Sequence, residues 1–340
     1  MSDFQVTIES NGQQFTVHKG EAILDAALHQ NVILPYGCRS GSCGSCAVTL
    51  VEGEVEYPFG IPGAMPDEEG ACLTCQAQPL SDVTIRAEVL ETIEEIEVKA
   101  LPCKLEHMEQ LCHDVMGLHL KLPDSRRLRF LAGQYLDIIL PNGHRRAFSI
   151  ANAPHDDEVI ELHVRYVSGG EFTETVFNSL QEKTILRIEA PLGSFILREH
   201  SDRPMLFVAG GTGFAPIKAM VEHALYVGEK RPMKIYWGVR SSRDLYLPDM
   251  PQKWADENAN VEFVPVLSEP DEGWQGRSGF VHEAVVEDIE DIADYDVYMA
   301  GPPVMVEACA NAFADKGLSR DHMYSDVFEY AAAKEKQEVS

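Results

Sequence analysis

The sequence predicts a multidomain α+β and α/β chain: a small β-grasp unit, an antiparallel β-barrel and a parallel-sheet α/β unit. Three features carry that reading. The N-terminus runs strand, tight turn, strand, helix; the middle holds short strands bounded by turns; and strand alternates with helix after Arg203-Pro204. At 340 residues with 45% apolar side chains, the chain is too long for one ordinary core.

In the first unit, assigned to residues 1–92, strands over 4–9 and 15–18 are joined by Asn11-Gly12, a dipeptide that reaches positive φ easily and makes a hairpin turn. A helix over 21–30 follows, with Ala22, Ile23, Ala26 and Ala27 spaced to pack on the hairpin. Strands near 47–51 and 83–89 complete the unit. The glutamate-rich segment 91–100 reads as a linker, with the next part starting near Leu101. The second unit, 93–200, has strands at 135–140, 146–150, 159–167 and 185–190, and one helix over 171–180. The third, 201–330, has strands at 205–209, 234–239, 261–267, 296–300 and 322–328 with helices between them. Residues 331–340 form a polar tail expected to be mobile.

Composition narrows the function. The 55 acidic residues against 28 Lys plus Arg give a net charge of −27, which repels a phosphate backbone and excludes nucleic acid as a partner. Net negative charge per residue is highest in residues 1–92, with 13 carboxylates against 3 Lys or Arg. Such a face can steer a positively charged docking partner; general solubility is the plainer explanation. No apolar run approaches the roughly 18 residues of a membrane span, and the N-terminus MSDFQVTIES lacks the basic start and apolar core of a signal peptide. The expectation is a cytoplasmic protein without membrane insertion.

Eight cysteines in such a chain argue against a disulfide framework and for a metal or redox site. Cys38, Cys43 and Cys46 form C-x4-C-x2-C with Cys75 far downstream, the spacing of plant-type [2Fe–2S] ligation. One loop must wrap the cluster with its amides toward the sulfurs, and Gly37, Gly41 and Gly44 adopt the unusual angles cheaply. A zinc site is the alternative, since Cys43 with Cys46 and Cys72 with Cys75 also make two C-x-x-C pairs. Cys38 and its flanking glycines favour the cluster. Cys72 is then a spare thiol, and Cys103, Cys112 and Cys309 are packing residues.

Two further constellations carry chemistry. Arg146-Ala147-Phe148-Ser149 puts a bidentate cation, a flat aromatic and a hydroxyl in one extended stretch, a set that binds a flavin: Arg146 on the pyrophosphate, Phe148 stacked on the ring, Ser149 at its reactive edge. Gly169-Gly170-Glu171-Phe172-Thr173, before the predicted helix, offers amides and the Thr173 hydroxyl as a second grip; a plain turn at Gly170 and a solvated Arg146 are the bland alternatives. Gly210-Gly211-Thr212-Gly213 follows an apolar strand and opens a helix, so its amides can hold a phosphate, although Pro216 departs from G-x-G-x-x-G. Gly301-Pro302-Pro303 makes a second strand-to-helix turn, placed where open α/β sheets bind ligands. Ser268-Glu269 opposes a 2′-phosphate while Arg240, Ser241 and Arg243 invite one; weighed together they favour NADH, with NADPH the alternative.

Together these residues resemble the ferredoxin–NADP reductase superfamily, in the branch where a plant-type ferredoxin domain comes first. Leu101-Pro102-Cys103-Lys104-Leu105, Leu131-Ala132-Gly133-Gln134-Tyr135, residues 145–154 and residues 210–218 are similar to the reductases of CDP-6-deoxyhexose dehydration, and the chain is also similar to reductase components of phenol and methane monooxygenases. The resemblance implies FAD in the barrel, NAD(P)H in the last unit, and electron relay from hydride through flavin and cluster to a protein acceptor, an oxygenase or dehydrase component. The flavin would take two electrons and release them singly. A free-flavin or quinone reductase with the same cofactors is the alternative function; a zinc-stabilised nucleotide-binding module is the alternative class. The branch further implies a monomer. The family's R-x-Y-S tyrosine is Phe148 here, which keeps stacking and loses a hydroxyl. Ala300 stands where many relatives carry cysteine before Gly-Pro-Pro, which implies slower hydride transfer or compensation by another residue. Phe328 matches the family's aromatic residue over the flavin.

Overall fold

The computed structural model describes residues 3–30, 32, 34–36, 39–41, 44, 46–87, 98–123, 125–199 and 201–327. Contacts divide the chain into two units, residues 1–97 with 193–195, and residues 98–192 with 196–340. The barrel and the parallel sheet thus fall within one compact unit. Phe328 and the tail 331–340 lie outside the described residues.

The first unit contains β1 (Asp3–Ile8), β2 (Gln14–His18), α1 (Ile23–His29), β3 (Ala47–Glu52), β4 (Val55–Glu56), β5 (Ala71–Leu73), β6 (Gln78–Pro79) and β7 (Val83–Arg86). Five strands form a mixed sheet in the order β2-β1-β7-β3-β5, parallel only between β1 and β7, while β4 pairs with β6. Gly12 takes φ +71 in the hairpin turn and donates its amide to Ile8 at 2.8 Å. Val6 and Ile8 of β1, Phe15 and Val17 of β2, and Ile23, Leu24, Ala26 and Ala27 of α1 are all buried, so alternation in the strands and helical spacing meet in one core. The helix starts two residues later than the sequence predicts. Glu21 instead accepts the His18 amide at 3.1 Å, and Ala22 is extended. β7 ends at Arg86, and residues 88–89 of the predicted strand fall outside the described residues.

The second unit begins with β8 (Lys99–Cys112), β9 (Val115–Lys121), β10 (Tyr135–Ile139), β11 (Arg145–Ser149), β12 (Ile160–Arg165), α2 (Glu171–Asn178) and β13 (Ile185–Leu192). Their order is β11-β10-β13-β8-β9-β12 with every pair antiparallel. The two outer strands meet through a bridge between Ile150 and Leu162 and through the Ala151 amide on the Glu161 carbonyl at 2.8 Å. Leu105, Leu118, Leu136, Ile150, Leu162 and Ile188 fill the interior with no exposure or almost none. The predicted linker is too long at its end: Lys99 and Ala100 already pair with Ala190 and Glu189 in the ladder. Neither β8 nor β9 is among the predicted strands. Pro102 and the charged residues of β8 obscure a strand whose inward face is Leu101, Cys103 and Leu105.

The same unit continues with β14 (Met205–Gly210), α3 (Phe214–Tyr226), β15 (Met233–Val239), α4 (Asp249–Glu257), β16 (Val261–Leu267), β17 (Arg277–Ser278), α5 (Val281–Asp288), β18 (Asp296–Gly301), α6 (Pro303–Asp315) and β19 (Met323–Val327). The sheet is parallel, in the order β17-β16-β15-β14-β18-β19. Every residue of β14 and β18 is buried, as expected for central strands covered on both faces. The order reverses between β14 and β18, and ligands of open α/β sheets bind beyond the carboxyl ends of strands at that point. No helix among the described residues is long and apolar enough to cross a membrane.

Candidate redox site

In the first unit Cys46 and Cys75 are buried and their Sγ atoms lie 3.1 Å apart, so two of the four expected ligands point at one spot. The hydroxyl and the amide of Thr74 both donate to the Cys46 carbonyl at 3.2 Å, fixing the ends of the two segments together. Gln76 Nε2 reaches the carbonyls of Arg39 and Cys75, each at 3.1 Å. Gly41 and Gly44 do take positive φ, +83 and +74, as wrapping a loop around a centre requires. Cys38, Cys43 and Gly37 lie outside the described residues. Cys72 is wholly buried in β5, and burial pushes its thiol up to about 11, which suits a packing residue.

In the second unit β11 alternates, placing Arg146 and Phe148 on one face and Ser149 on the other. Arg146 reaches the first turn of α2, where its Nη2 lies 3.3 Å from Glu171. Phe148 is half-buried and packs its ring 5.4 Å from that of Phe172 in α2. The cation, the aromatic and the helix N-terminus therefore come together as the sequence implies. The amides of Gly169 and Gly170 differ from expectation: they donate to Glu174 and to the Val167 carbonyl, and the Thr173 hydroxyl closes the same turn on Val167 at 3.0 Å. Gly170 is needed there, since a Cβ would lie 2.5 Å from Thr173 Oγ1.

The two glycine turns of the parallel sheet are pressed against each other. A Cβ on Gly213 would stand 1.9 Å from the Ala300 carbonyl oxygen, one on Gly301 3.1 Å from Gly210 Cα, and one on Gly210 2.4 Å from Met305 Sδ. Gly211, at φ +54, would meet Arg165 Nη1 at 2.8 Å and gives its carbonyl to Trp237 Nε1 at 2.9 Å. Thr212 is buried in the same turn, and Pro302 caps α6 at the other. Ser149 Oγ donates to Asp326 Oδ2 at 3.0 Å, and Asp326 is the register partner of Ala300. The Ser149 hydroxyl is thus delivered to the carboxyl edge of the parallel sheet, beside the two glycine turns.

A second polar chain links the barrel to the same sheet. Lys218 of α3 is buried and donates to Glu161 at 2.9 Å, to Glu222 at 3.1 Å and to the Ala151 carbonyl at 3.1 Å. Glu161 holds His163 Nε2 at 2.8 Å, and His163 Nδ1 meets the Tyr246 hydroxyl at 3.0 Å. The consistent assignment has Tyr246 donating to Nδ1 and Nε2–H donating to Glu161. Burial alone would raise the Glu161 carboxyl, but His163 and Lys218 outweigh it and hold it down at about 2. Burial pushes His163 below its ordinary value despite that carboxylate. Sequence reasoning missed Asp326, Arg165, Glu161, His163 and Tyr246; Glu161 and His163 meet two residues apart on β12, but the other partners are distant in the chain and no spacing relates them.

A parallel sheet with paired glycine turns, an antiparallel barrel delivering an Arg-x-Phe-Ser strand to its edge, and a cysteine loop on a β-grasp sheet define an iron–sulfur flavoprotein reductase. The comparisons agree in order and extent. Residues 6–80 match the 2Fe-2S iron-sulfur cluster binding domain, 102–196 the oxidoreductase FAD-binding domain, and 207–311 the oxidoreductase NAD-binding domain. The chain is 41% identical over 324 residues to the CDP-6-deoxy-L-threo-D-glycero-4-hexulose-3-dehydrase reductase of Yersinia pestis, covering 95% of this chain and 98% of that one. It is 34% identical to the terephthalate 1,2-dioxygenase reductase component 2 of Comamonas, over 95% and 97%. Among solved structures the Amycolatopsis cytochrome P450 reductase GcoB superposes with a TM-score of 0.79 at 32% identity, over 96% and 98%. The chain belongs to the ferredoxin–NADP reductase superfamily, in the branch of NAD(P)H-dependent reductases that carry an N-terminal [2Fe–2S] domain. It is an oxidoreductase of the electron-transfer kind, with domains for the cluster, FAD and NAD.

Proposed function

We propose that this chain supplies single electrons to a protein acceptor, an oxygenase or dehydrase component, with NADH as donor, Cys38, Cys43, Cys46 and Cys75 as cluster ligands and Ser149 beside the reacting edge of FAD. The carrying observation is the hydrogen bond from Ser149 to Asp326 next to Ala300, because it supports one meeting point for flavin and nicotinamide. FAD, when bound, converts a two-electron donor into a one-electron source. The chain's own residues do the rest. Arg146 and the α2 N-terminus would hold the pyrophosphate, aided by the turn that Gly170 and Thr173 close, and Phe148 would stack with the flavin. Gly210, Gly211, Gly213 and Gly301 let the two turns pack where a Cβ would collide with protein atoms, and with Thr212 and Pro302 they would line the dinucleotide site. The Ser149 hydroxyl donates its proton to Asp326, so toward a bound flavin its oxygen would act as an acceptor. Phe328 keeps the role that the family resemblance implies for it at the flavin.

The buried pair Cys46 and Cys75 fits a cluster, and both thiols must lose their protons to bind it. The choice of NADH rests on carboxylates near the predicted ribose end. Asp271 accepts the Ser242 amide at 2.8 Å and Asp244 the Ser241 amide at 2.9 Å, so two carboxylates stand beside the exposed Arg240 and Arg243 and oppose a 2′-phosphate there. A monomer in the cytoplasm belongs to the same reading. The test is Cys46→Ser: loss of the cluster and of protein-acceptor reduction, with FAD content and NADH–ferricyanide activity kept. Protein-acceptor reduction persisting without the cluster would replace this reading with a free-flavin or quinone reductase.

A further inference from the structure

We propose that residues 57–66 form the docking surface for the electron acceptor, a protein with an apolar pocket rimmed by Lys and Arg. This rests on the reading that electrons leave through the cluster held by Cys46 and Cys75. Phe59 is 92% exposed and Ile61 78%, more than any other large apolar side chain among the described residues. Two such side chains separated by a single residue, on one anchored loop, mark a binding surface.

The loop is anchored at both ends and beside the cluster cysteines. Tyr57 OH accepts the Leu73 amide at 3.1 Å, Gly60 donates to the Tyr57 carbonyl at 3.0 Å, and Met65 donates to that of Pro62 at 3.1 Å. Ala64 donates to the Gly41 carbonyl at 3.4 Å, and a Cβ on Gly41 would lie 3.0 Å from Pro62 and 3.1 Å from Gln76, the residue after Cys75. With Pro58 and Pro62 limiting its freedom, the apolar tip is held ready and loses little entropy on binding. An acceptor gripping it sits beside the segments that carry Cys46 and Cys75.

Charge identifies the partner's rim. Residues 51–70 contain Glu52, Glu54, Glu56, Asp67, Glu68 and Glu69, all exposed, and no Lys, Arg or His. The two arginines of this unit pair internally, Arg39 with Asp25 and Arg86 with Glu9. An apolar centre with a carboxylate collar attracts a basic partner at long range and binds its apolar centre at contact.

The holoenzyme is assayed with NADH and cytochrome c, a basic one-electron haem protein, as probe, and with ferricyanide as a small flavin-level acceptor. Phe59→Ser with Ile61→Ser is expected to raise the KM for cytochrome c about tenfold, with ferricyanide rate, visible spectrum and iron content unchanged. Glu68→Gln with Glu69→Gln is expected to flatten the fall of kcat/KM with added salt. An unchanged KM in the first variant overturns the proposal. So does a halving of apparent mass in that variant on size exclusion, which assigns the loop to a second copy of this chain. A wild type that reduces ferricyanide but not cytochrome c removes the electron-delivery reading beneath it.

Discussion

Ser149 Oγ lies 3.0 Å from Asp326 Oδ2, and this bond ties the last residue of a barrel strand to the last strand of the parallel sheet. Both residues are almost fully buried, so the bond is worth more than a surface contact and fixes where the hydroxyl points. Ser149→Ala should slow anaerobic flavin reduction by NADH about tenfold, the loss expected for one such hydrogen bond. FAD content after gel filtration should not change. Stopped-flow bleaching of the flavin measures the rate, and a wild-type rate in the variant removes Ser149 from the reacting edge.

Lys218 neutralises two carboxylates, Glu161 and Glu222, that are largely withdrawn from water. Lys218→Met would leave both without their cation, and breaking a buried ion pair from one side costs about 3–5 kcal/mol. Glu222→Gln should cost much less, because Lys218 keeps Glu161 and the Ala151 carbonyl. Urea unfolding of both variants at saturating FAD checks the order; equal losses would mean that Lys218 serves Glu222 alone.

These two residues show what the sequence made legible. Ala209 to Pro216 stood out as a strand-to-helix turn because glycine and apolar runs are local signals, and strands such as 261–267 are found where alternation and β-branched residues predict them. Hydrophobic β14 and β18 were equally plain. β8 was not, since its Pro102 and alternating charges look like linker while its other face packs the barrel. The partners of Lys218 and Ser149 come from segments 57 and 177 residues away, a pairing that only the fold creates.

His163 gives the network a pH dependence with a definite sign. Burial lowers its folded value below 6.5, so the neutral ring is the folded form, whereas the unfolded chain takes up a proton near 6.5. Its contribution is therefore complete above about 6.5 and is lost as pH falls from there toward the folded value. Glu161 is depressed too, to about 2 from 4.5, and adds its own loss only below about 4.5. Between pH 7.5 and 5.5 the melting temperature of the wild type should fall more steeply than that of His163→Gln. Parallel curves would show that the ring takes up its proton equally in the folded and unfolded chain.

Gly213 tests the close approach of the two nucleotide turns. A methyl group there would overlap the Ala300 carbonyl at 1.9 Å, a backbone atom that cannot swing aside, so Gly213→Ala must push β14's turn away from β18's. Gly228 is the control: at φ +78 with open space around it, alanine costs only the left-handed strain, about 1–2 kcal/mol. Gly213→Ala should raise the KM for NADH at least tenfold, since a displacement near 1 Å in a binding turn has that scale of effect. Gly228→Ala should lower the melting temperature by a few degrees and leave the KM alone. Reduction by dithionite bypasses the nucleotide turns, so Gly213→Ala reduced in this way should still pass electrons to a protein acceptor at the wild-type rate. If that rate fell as far as the NADH-driven one, the substitution would have damaged the whole unit rather than the crevice between Gly213 and Ala300.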